Sequence, residues 1–377
     1  MKPATLSFRA AALAVIVAFA VGLVGSLALR PPGESRVAVG AQPGGAEAGP
    51  TAVRLRWRVP GAFATNLPAL GDNALFVSDT LRAISDNAVR LDIYEPGEIV
   101  PAFSITEAVR DGKVEAGYTW LGYDQGRIRA STLLGAVPFG MEPWEFSAWW
   151  FEAGGRELGE ALYHQHNVHP LFCGITGPET AGWFRLPINS LADIRGLKIR
   201  FAGIGGKVME RAGASVTMLP GGEIFQALEK GAIDATEYAL PVVDQMLGFS
   251  RVARYNYYPG WHQPATAFHL VVNLDRWRAL PPSTQALLEA VCTAGVTRNL
   301  ARSEGLQGPV IETFIEAGVR VETLPMDVLR ELDRITQNVL AEEAAASPEF
   351  ARILESQNRF RSDYAHWKSR AYLPRDF

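Results

Sequence analysis

Three imidazoles crowd into one short stretch: His164, His166 and His169. Imidazoles that close together could bind zinc or copper. No Cys or carboxylate completes the cluster locally, so its plainer reading is a solvated helix end leading into a strand over residues 170–173. Two acids stand at other junctions. Glu179 follows Gly177-Pro178, and Glu237 ends Asp234-Ala235-Thr236-Glu237. Near one cleft, two carboxylates could ligate a hard cation or act as an acid/base pair. Taken singly, each is an ordinary loop charge. Arg200 closes Gly196-Leu197-Lys198-Ile199-Arg200, with Lys198 and Arg200 on one strand face and Leu197 and Ile199 on the other. An exposed basic pair would look the same. A guanidinium at a strand's carboxyl end, however, suits bidentate capture of a carboxylate.

Other chemistry is weakly signalled. Gly203-Ile204-Gly205-Gly206 lacks the dinucleotide spacing, and no Lys-Ser or Lys-Thr follows it as in a phosphate loop. No Gly-x-Ser-x-Gly nucleophile elbow is present. Cys173 and Cys292 could pair in an oxidising compartment. Their apolar neighbours favour two separate buried thiols that behave as small hydrophobes.

The elements that must position these residues alternate. Residues 53–59 alternate apolar and charged, a half-buried strand. Residues 69–88 suit a helix carrying Leu70, Leu75, Val77 and Ile84. A strand over 89–94, a short helix over 103–110 and a strand over 114–118 follow. The pattern around Ala108–Ala116 returns around Ala227–Ala235: a short helix, a helix-ending Gly and a strand. Two such units imply an α/β architecture with two similar domains facing a cleft. Ligands of open α/β sheets bind outside the carboxyl ends of strands. Residues 118–123 and 236–238 are therefore expected to line the cleft. The last third reads as helical, with Ser283 and Ser347 as caps, a strand over 318–322 and a long helix over 327–346.

The chain has 377 residues, net charge −4 and 48% hydrophobic residues, enough for two packed domains. That balance excludes a disordered chain, and the mild acidity argues against a nucleic-acid binder, which needs a basic field. Lys2 and Arg9 precede an apolar run over residues 10–29, the pattern of an export signal. The run is long enough to remain as an anchor, and Val39-Gly40-Ala41 offers a cleavage site. Residues 1–41 carry a net +3, so their removal would take the chain from −4 to −7. The next stretch, rich in Pro, Gly and Ala, reads as a tether over 42–52.

Three long strips resemble one family. They are Gly182-Trp183-Phe184-Arg185 through Arg200, Leu219-Pro220-Gly221-Gly222 through Glu237, and Tyr257-Tyr258-Pro259-Gly260-Trp261-His262-Gln263-Pro264. Residues 53–345 are similar to the solute-binding receptors of tripartite ATP-independent periplasmic (TRAP) transporters, the DctP-type family. Within it they look closest to the receptors of 2-oxo and 2-hydroxy monocarboxylates that also hold a metal ion. The resemblance implies a two-domain periplasmic solute-binding α/β fold with a ligand cleft, crossing strands and long C-terminal helices. It places a first domain at 53–175, completed from 265–345, a second at 176–264, and crossover strands with bracing helices at 265–377. It implies periplasmic export, TRAP membrane subunits as partners, no catalysis, and a possible homodimer formed through the C-terminal helices.

The same resemblance assigns roles. Arg200 matches the carboxylate-binding arginine and Glu237 a metal-binding glutamate. Tyr238 stands where the subgroup has Trp, whose carbonyl reaches the metal. Tyr123 lies near the tyrosine that assists carboxylate binding. Trp261 and Gln263 belong to the strip that lines the pocket, and Gln263 counts among the metal ligands. Glu179 departs from the pattern, which has Gln there as a neutral ligand. Arg200, the two glutamates and a monocarboxylate sum to −2. A divalent ion neutralises that charge and a monovalent one does not, so Ca²⁺ is expected over Na⁺. Two other classes stay open: a hydrolase or lyase using the Glu179/Glu237 pair, and a membrane-tethered sensor domain.

Overall fold

The computed structural model describes residues 55–373. The apolar run, the cleavage site and the tether lie outside them. Among the described residues no helix is long and apolar enough to cross a membrane.

The strands fall into three sheets. β1 (Leu55–Pro60) and β2 (Val89–Tyr94) pair in parallel. β3 (Ala116–Trp120) and β4 (Val168–Thr176) flank a later strand in antiparallel fashion. The third sheet collects β5 (Gly182–Phe184), β6 (Lys198–Arg200), β7 (Ser215–Thr217), β8 (Ala235–Thr236) and β9 (Tyr255–Tyr258). β10 (Thr266–Asn273) returns to lie between β3 and β4, and β11 (Arg320–Thr323) adds to the third sheet beside β9. The chain therefore crosses between sheets twice in short segments: residues 177–181 after β4, and residues 259–265 before β10.

Central strands read as continuous apolar runs because both faces are covered. All nine residues of β4 and all eight of β10 are buried. The helix Pro282–Gly305 packs on β4 and presents Leu288, Val291, Cys292 and Val296. It opens on Pro281-Pro282 with no side-chain cap, so the expected Ser283 cap is not used; a proline in the first turn has no N–H to satisfy. Ser347 does cap the helix Pro348–Ala371, its hydroxyl accepting from the Phe350 N–H at 3.2 Å.

Several expectations shift. The strand expected at 114–118 runs from Ala116 to Trp120, and the one expected at 170–173 is the nine-residue β4. The helix Gly71–Ile84 turns Asn73, Ala74, Val77 and Leu81 inward, a stripe at helical spacing, whereas Leu75 and Ile84 are exposed. Cys173 and Cys292 are not separate thiols but a disulfide, with Cα atoms 4.0 Å apart. Their apolar surroundings are the same in either case; the packing of the helix on β4 brings the sulfurs together.

The long helix Met326–Ala346 buries Val328, Leu332, Ile335, Val339 and Leu340 along one side. It packs on the helix Gly203–Arg211. Glu343 on it accepts from Arg129 Nη1 at 2.9 Å and pairs with Lys207 Nζ at 2.8 Å. One carboxylate thus joins a turn beside the second sheet to a helix of the third.

Candidate solute and cation site

The site forms where the third sheet's strand ends meet the two crossovers. β6 and β8 run parallel with Arg200 opposite Thr236, so Arg200 and the next residue of the other strand, Glu237, leave the sheet side by side. Glu237 donates its backbone N–H to the Arg200 carbonyl at 3.2 Å. The Arg200 side chain donates from Nη1 to Glu237 Oε1 at 2.7 Å and to the Glu237 carbonyl at 2.8 Å. Its Nε donates to the Leu219 carbonyl at 3.2 Å. The guanidinium lies 5.2 Å from the centre of the Tyr238 ring. Arg200 is 1% exposed and Glu237 is fully buried.

Glu237 Oε1 also accepts from the Ala202 N–H at 2.6 Å, while Oε2 is buried with no hydrogen-bond partner. Burial pushes this carboxyl up, but Arg200, His262 and the Ala202 N–H outweigh it and hold the group below its usual range.

The first crossover carries Glu179 and the second carries His262 and Gln263. Glu179 Oε1 accepts from Thr266 Oγ1 at 2.8 Å, and Oε2 from Gln263 Nε2 at 3.0 Å. The crossovers touch so closely that a Cβ on Gly260 would stand 2.2 Å from the Glu179 carbonyl oxygen, which only glycine avoids. Burial raises the Glu179 carboxyl above its usual range, with Glu237 adding to it and His262 opposing.

His262 lies between the two acids. Its Nε2 is 3.6 Å from Glu179 Oε2 and 3.6 Å from Glu237 Oε2. Both ring nitrogens are buried without a partner. Burial alone would lower this imidazole; the negative charge of Glu179 and Glu237 on either side raises it instead, to about 9. Sequence reasoning did not single out His262. Its only signal was its place beside Gln263 in the third strip.

The cavity above these groups is narrow, about 20 Å³, far below the ligand pockets of about 300–1,000 Å³. Its polar wall is Glu179, Arg200, Glu237, Gln263 and Thr266, and its apolar wall is Phe63, Leu70, Trp120 and Phe268. Tyr123 and Tyr238 complete it. Burial raises the Tyr123 hydroxyl to about 12, so it stays protonated as a donor. Both expected stretches reach the lining, through Trp120 and Tyr123 and through Glu237 and Tyr238. Tyr118 does not; its hydroxyl takes a hydrogen bond from Asn73 at 2.9 Å. Trp261 stands behind the wall, its ring 5.6 Å from Phe139 and 5.8 Å from Phe201, where it props the second crossover.

The histidine-rich stretch lies elsewhere. His164 Nε2 and His169 Nδ1 are 3.0 Å apart, and His166 is not part of the group. A carboxylate does join them: Glu160, one helical turn before His164. That acid accepts from Arg156 Nε at 2.7 Å.

Strands that end at a small cleft, with a buried arginine on one wall and apolar rings on the other, define a receptor for a small anionic solute. The comparisons name the family: residues 62–346 match the DctP family of bacterial extracellular solute-binding proteins, family 7, and the chain belongs to it. A monocarboxylate 2-oxoacid-binding periplasmic protein of Nostoc sp. is 31% identical over 313 residues, covering 83% of this chain and 86% of that protein. A TRAP transporter solute-binding protein of Bordetella bronchiseptica, solved with copurified calcium and picolinate, is 32% identical with TM-score 0.82; the match covers 84% of this chain and 94% of that one. A TRAP periplasmic solute-binding protein of Pseudoalteromonas atlantica, solved with sodium and pyruvate, is 30% identical with TM-score 0.81, covering 84% and 97%. The fold is thus the two-domain α/β fold of TRAP solute receptors, a family of binding proteins and not of enzymes.

Proposed function

We propose that this chain is an extracytoplasmic receptor that binds a small 2-oxo or 2-hydroxy monocarboxylate, or a small aromatic carboxylate, together with a cation. It hands that ligand to TRAP membrane subunits. The observation that carries the reading is the buried Arg200–Glu237 pair, whose second carboxylate oxygen has no partner, at the floor of a small cavity. Pyruvate and picolinate, bound in the two relatives, are small carboxylates, the class that a buried arginine in a small cavity suits.

In this reading Arg200 holds the ligand carboxylate, assisted by the Tyr123 hydroxyl, and the apolar wall covers the rest. The orphaned Glu237 oxygen and the facing Glu179 suit a cation, with Gln263 and the Tyr238 backbone as further oxygen donors. A bound cation supplies positive charge beside the ligand oxygen. A cation that enters between the two glutamates displaces the His262 proton; Arg200, Glu179, Glu237 and the ligand then sum to −2, so a divalent ion is held over a monovalent one, Ca²⁺ over Na⁺. We take the two crossovers as the hinge, with lobes at 53–175 and 176–264, closed by the elements of 265–377. Residues 1–41 act as the export signal. Closure brings the apolar wall over the polar one and changes the surface offered to the permease.

The test is a thermal-shift screen of 2-oxo, 2-hydroxy and aromatic acids with and without Ca²⁺. A true ligand at about 100 times its Kd stabilises by about 2.7 kcal/mol. The expected result is a melting shift for small monocarboxylates that grows with Ca²⁺. No shift for any acid, or a shift only for cationic or sugar ligands, would overturn the reading.

A further inference from the structure

His262 brings a nitrogen into a site whose other cation donors are all oxygens. Its Nε2 stands 3.6 Å from an oxygen of each glutamate. That is too long for a hydrogen bond. It is close to the separation of two donors on one small divalent ion at a tetrahedral angle, about 3.4 Å for metal–ligand bonds near 2.0–2.1 Å. One ligand atom from each of Glu179, Glu237 and His262 lies within 4.8 Å of the others, and all three residues are buried. His262 Nε2 and Glu237 Oε2 have no hydrogen-bond partner in the protein. Buried donors of that kind are costly to leave unmatched.

The ring is also fixed in place. It packs edge-on to Phe201 with centroids 4.8 Å apart. A Cβ on Gly205 would come within 2.9 Å of the His262 Cβ, so the glycine makes room for this seat. Glu179 is oriented by Thr266 and Gln263, and Glu237 by Arg200 and Ala202. Supporting contacts of this kind hold first ligands in position and tune a metal site.

We infer that His262 is itself a ligand of the cation, and that its imidazole makes the site prefer a borderline divalent ion of the Co²⁺ and Zn²⁺ class over Ca²⁺. This rests on the reading that the site holds a cation beside the solute. Ca²⁺ and Na⁺ are oxygen-seeking ions, whereas imidazole suits zinc and the later first-row metals. Two carboxylate oxygens and one imidazole nitrogen are the strong donors, Gln263 and the Tyr238 carbonyl the weaker ones, and a position stays open for the solute. The order of affinity is then Na⁺ below Ca²⁺, and Ca²⁺ below Co²⁺ or Zn²⁺.

The experiment uses the full chain, stripped with chelator, carrying His164→Ala so that the separate Glu160/His164/His169 group takes no metal. Co²⁺ is titrated while its visible d–d absorption is read; Zn²⁺ is measured by competition and Ca²⁺ by calorimetry. The expected result is Co²⁺ absorption of a nitrogen-and-oxygen site, with Zn²⁺ tighter than Ca²⁺. His262→Gln then weakens Zn²⁺ more than about tenfold, since even the outer partners of metal ligands are worth about 10–100-fold, and Ca²⁺ far less. Circular dichroism checks the fold, and His262→Asn repeats the comparison if the Gln variant does not fold. An unchanged Zn²⁺-to-Ca²⁺ ratio in the variant overturns the inference while Glu237-dependent Ca²⁺ binding keeps the broader reading. If His262 only lends positive charge, its replacement tightens both ions alike, which also overturns it. Solute binding that needs no cation, with cation affinities indifferent to Glu237→Gln, overturns the cation reading and the inference together.

Discussion

Arg200 is paired before any solute arrives. Its contact with Glu237 removes the cost of burying either charge alone, and breaking such a pair from one side typically costs about 3–5 kcal/mol. The planar fork matters as well as the charge, because Nε and Nη1 are committed to Leu219 and Glu237 while the same side chain faces the cavity. Arg200→Lys should therefore weaken solute binding at least about tenfold, with a smaller loss of stability than Arg200→Ala. Calorimetry on folded protein checks this; unchanged affinity in either variant would remove Arg200 from the site. Arg200 and Glu237 were legible in the sequence because each ends a strand within a specific strip, and Glu179 because it stands at the junction just before the first strip. His262 was not, since a lone loop histidine looks the same whether it faces water or two buried acids.

At the scale of elements, the alternation of strands and helices was readable from periodicity, and most elements fall within a few residues of where the pattern put them. Errors came where burial is two-sided. β4 is longer than its local signal because its whole length is covered by β10 and the helix Pro282–Gly305. The same packing makes the Cys173–Cys292 disulfide, across a sequence separation of 119 residues. A cross-link over so long a loop restricts the unfolded chain strongly, so the Cys173→Ala/Cys292→Ala double variant should lose about 2–5 kcal/mol. Urea unfolding reads this. An unchanged midpoint, or two reactive thiols in the oxidised protein, would contradict the linkage.

At the scale of the whole molecule, acid stability draws on a histidine the core keeps neutral. His269 is fully buried in β10 against Trp150 and Phe172, at 5.3 Å and 5.7 Å, with neither ring nitrogen bonded. Burial lowers it to about 3, from 6.5. The unfolded chain takes up the proton below pH 6.5 while the folded one refuses it until about pH 3. Stability is therefore complete above pH 6.5 and falls as pH drops through that window, by about 3 kcal/mol at pH 4 from this residue. His269→Phe should flatten the fall, measured as urea midpoints between pH 7 and pH 4; an equal slope in both proteins would show that other groups govern it. The Glu343 carboxylate, shared by Arg129 and Lys207, acts at this scale too, since it ties elements of different sheets together.

By itself the sequence determined the elements, the export pattern, the strips that mark the family and the charged residues at strand ends. These follow from local periodicity, composition and short-range spacing. Only the tertiary structure decided which distant residues meet. The approach of Glu179, Glu237 and His262 depends on two crossovers between the second and third sheets meeting each other beside the end of β8, and the disulfide depends on one helix lying on one strand. Through-space distances of a few ångströms between residues far apart in the chain are set by packing, and packing is the sum of many contacts that no single stretch of sequence contains.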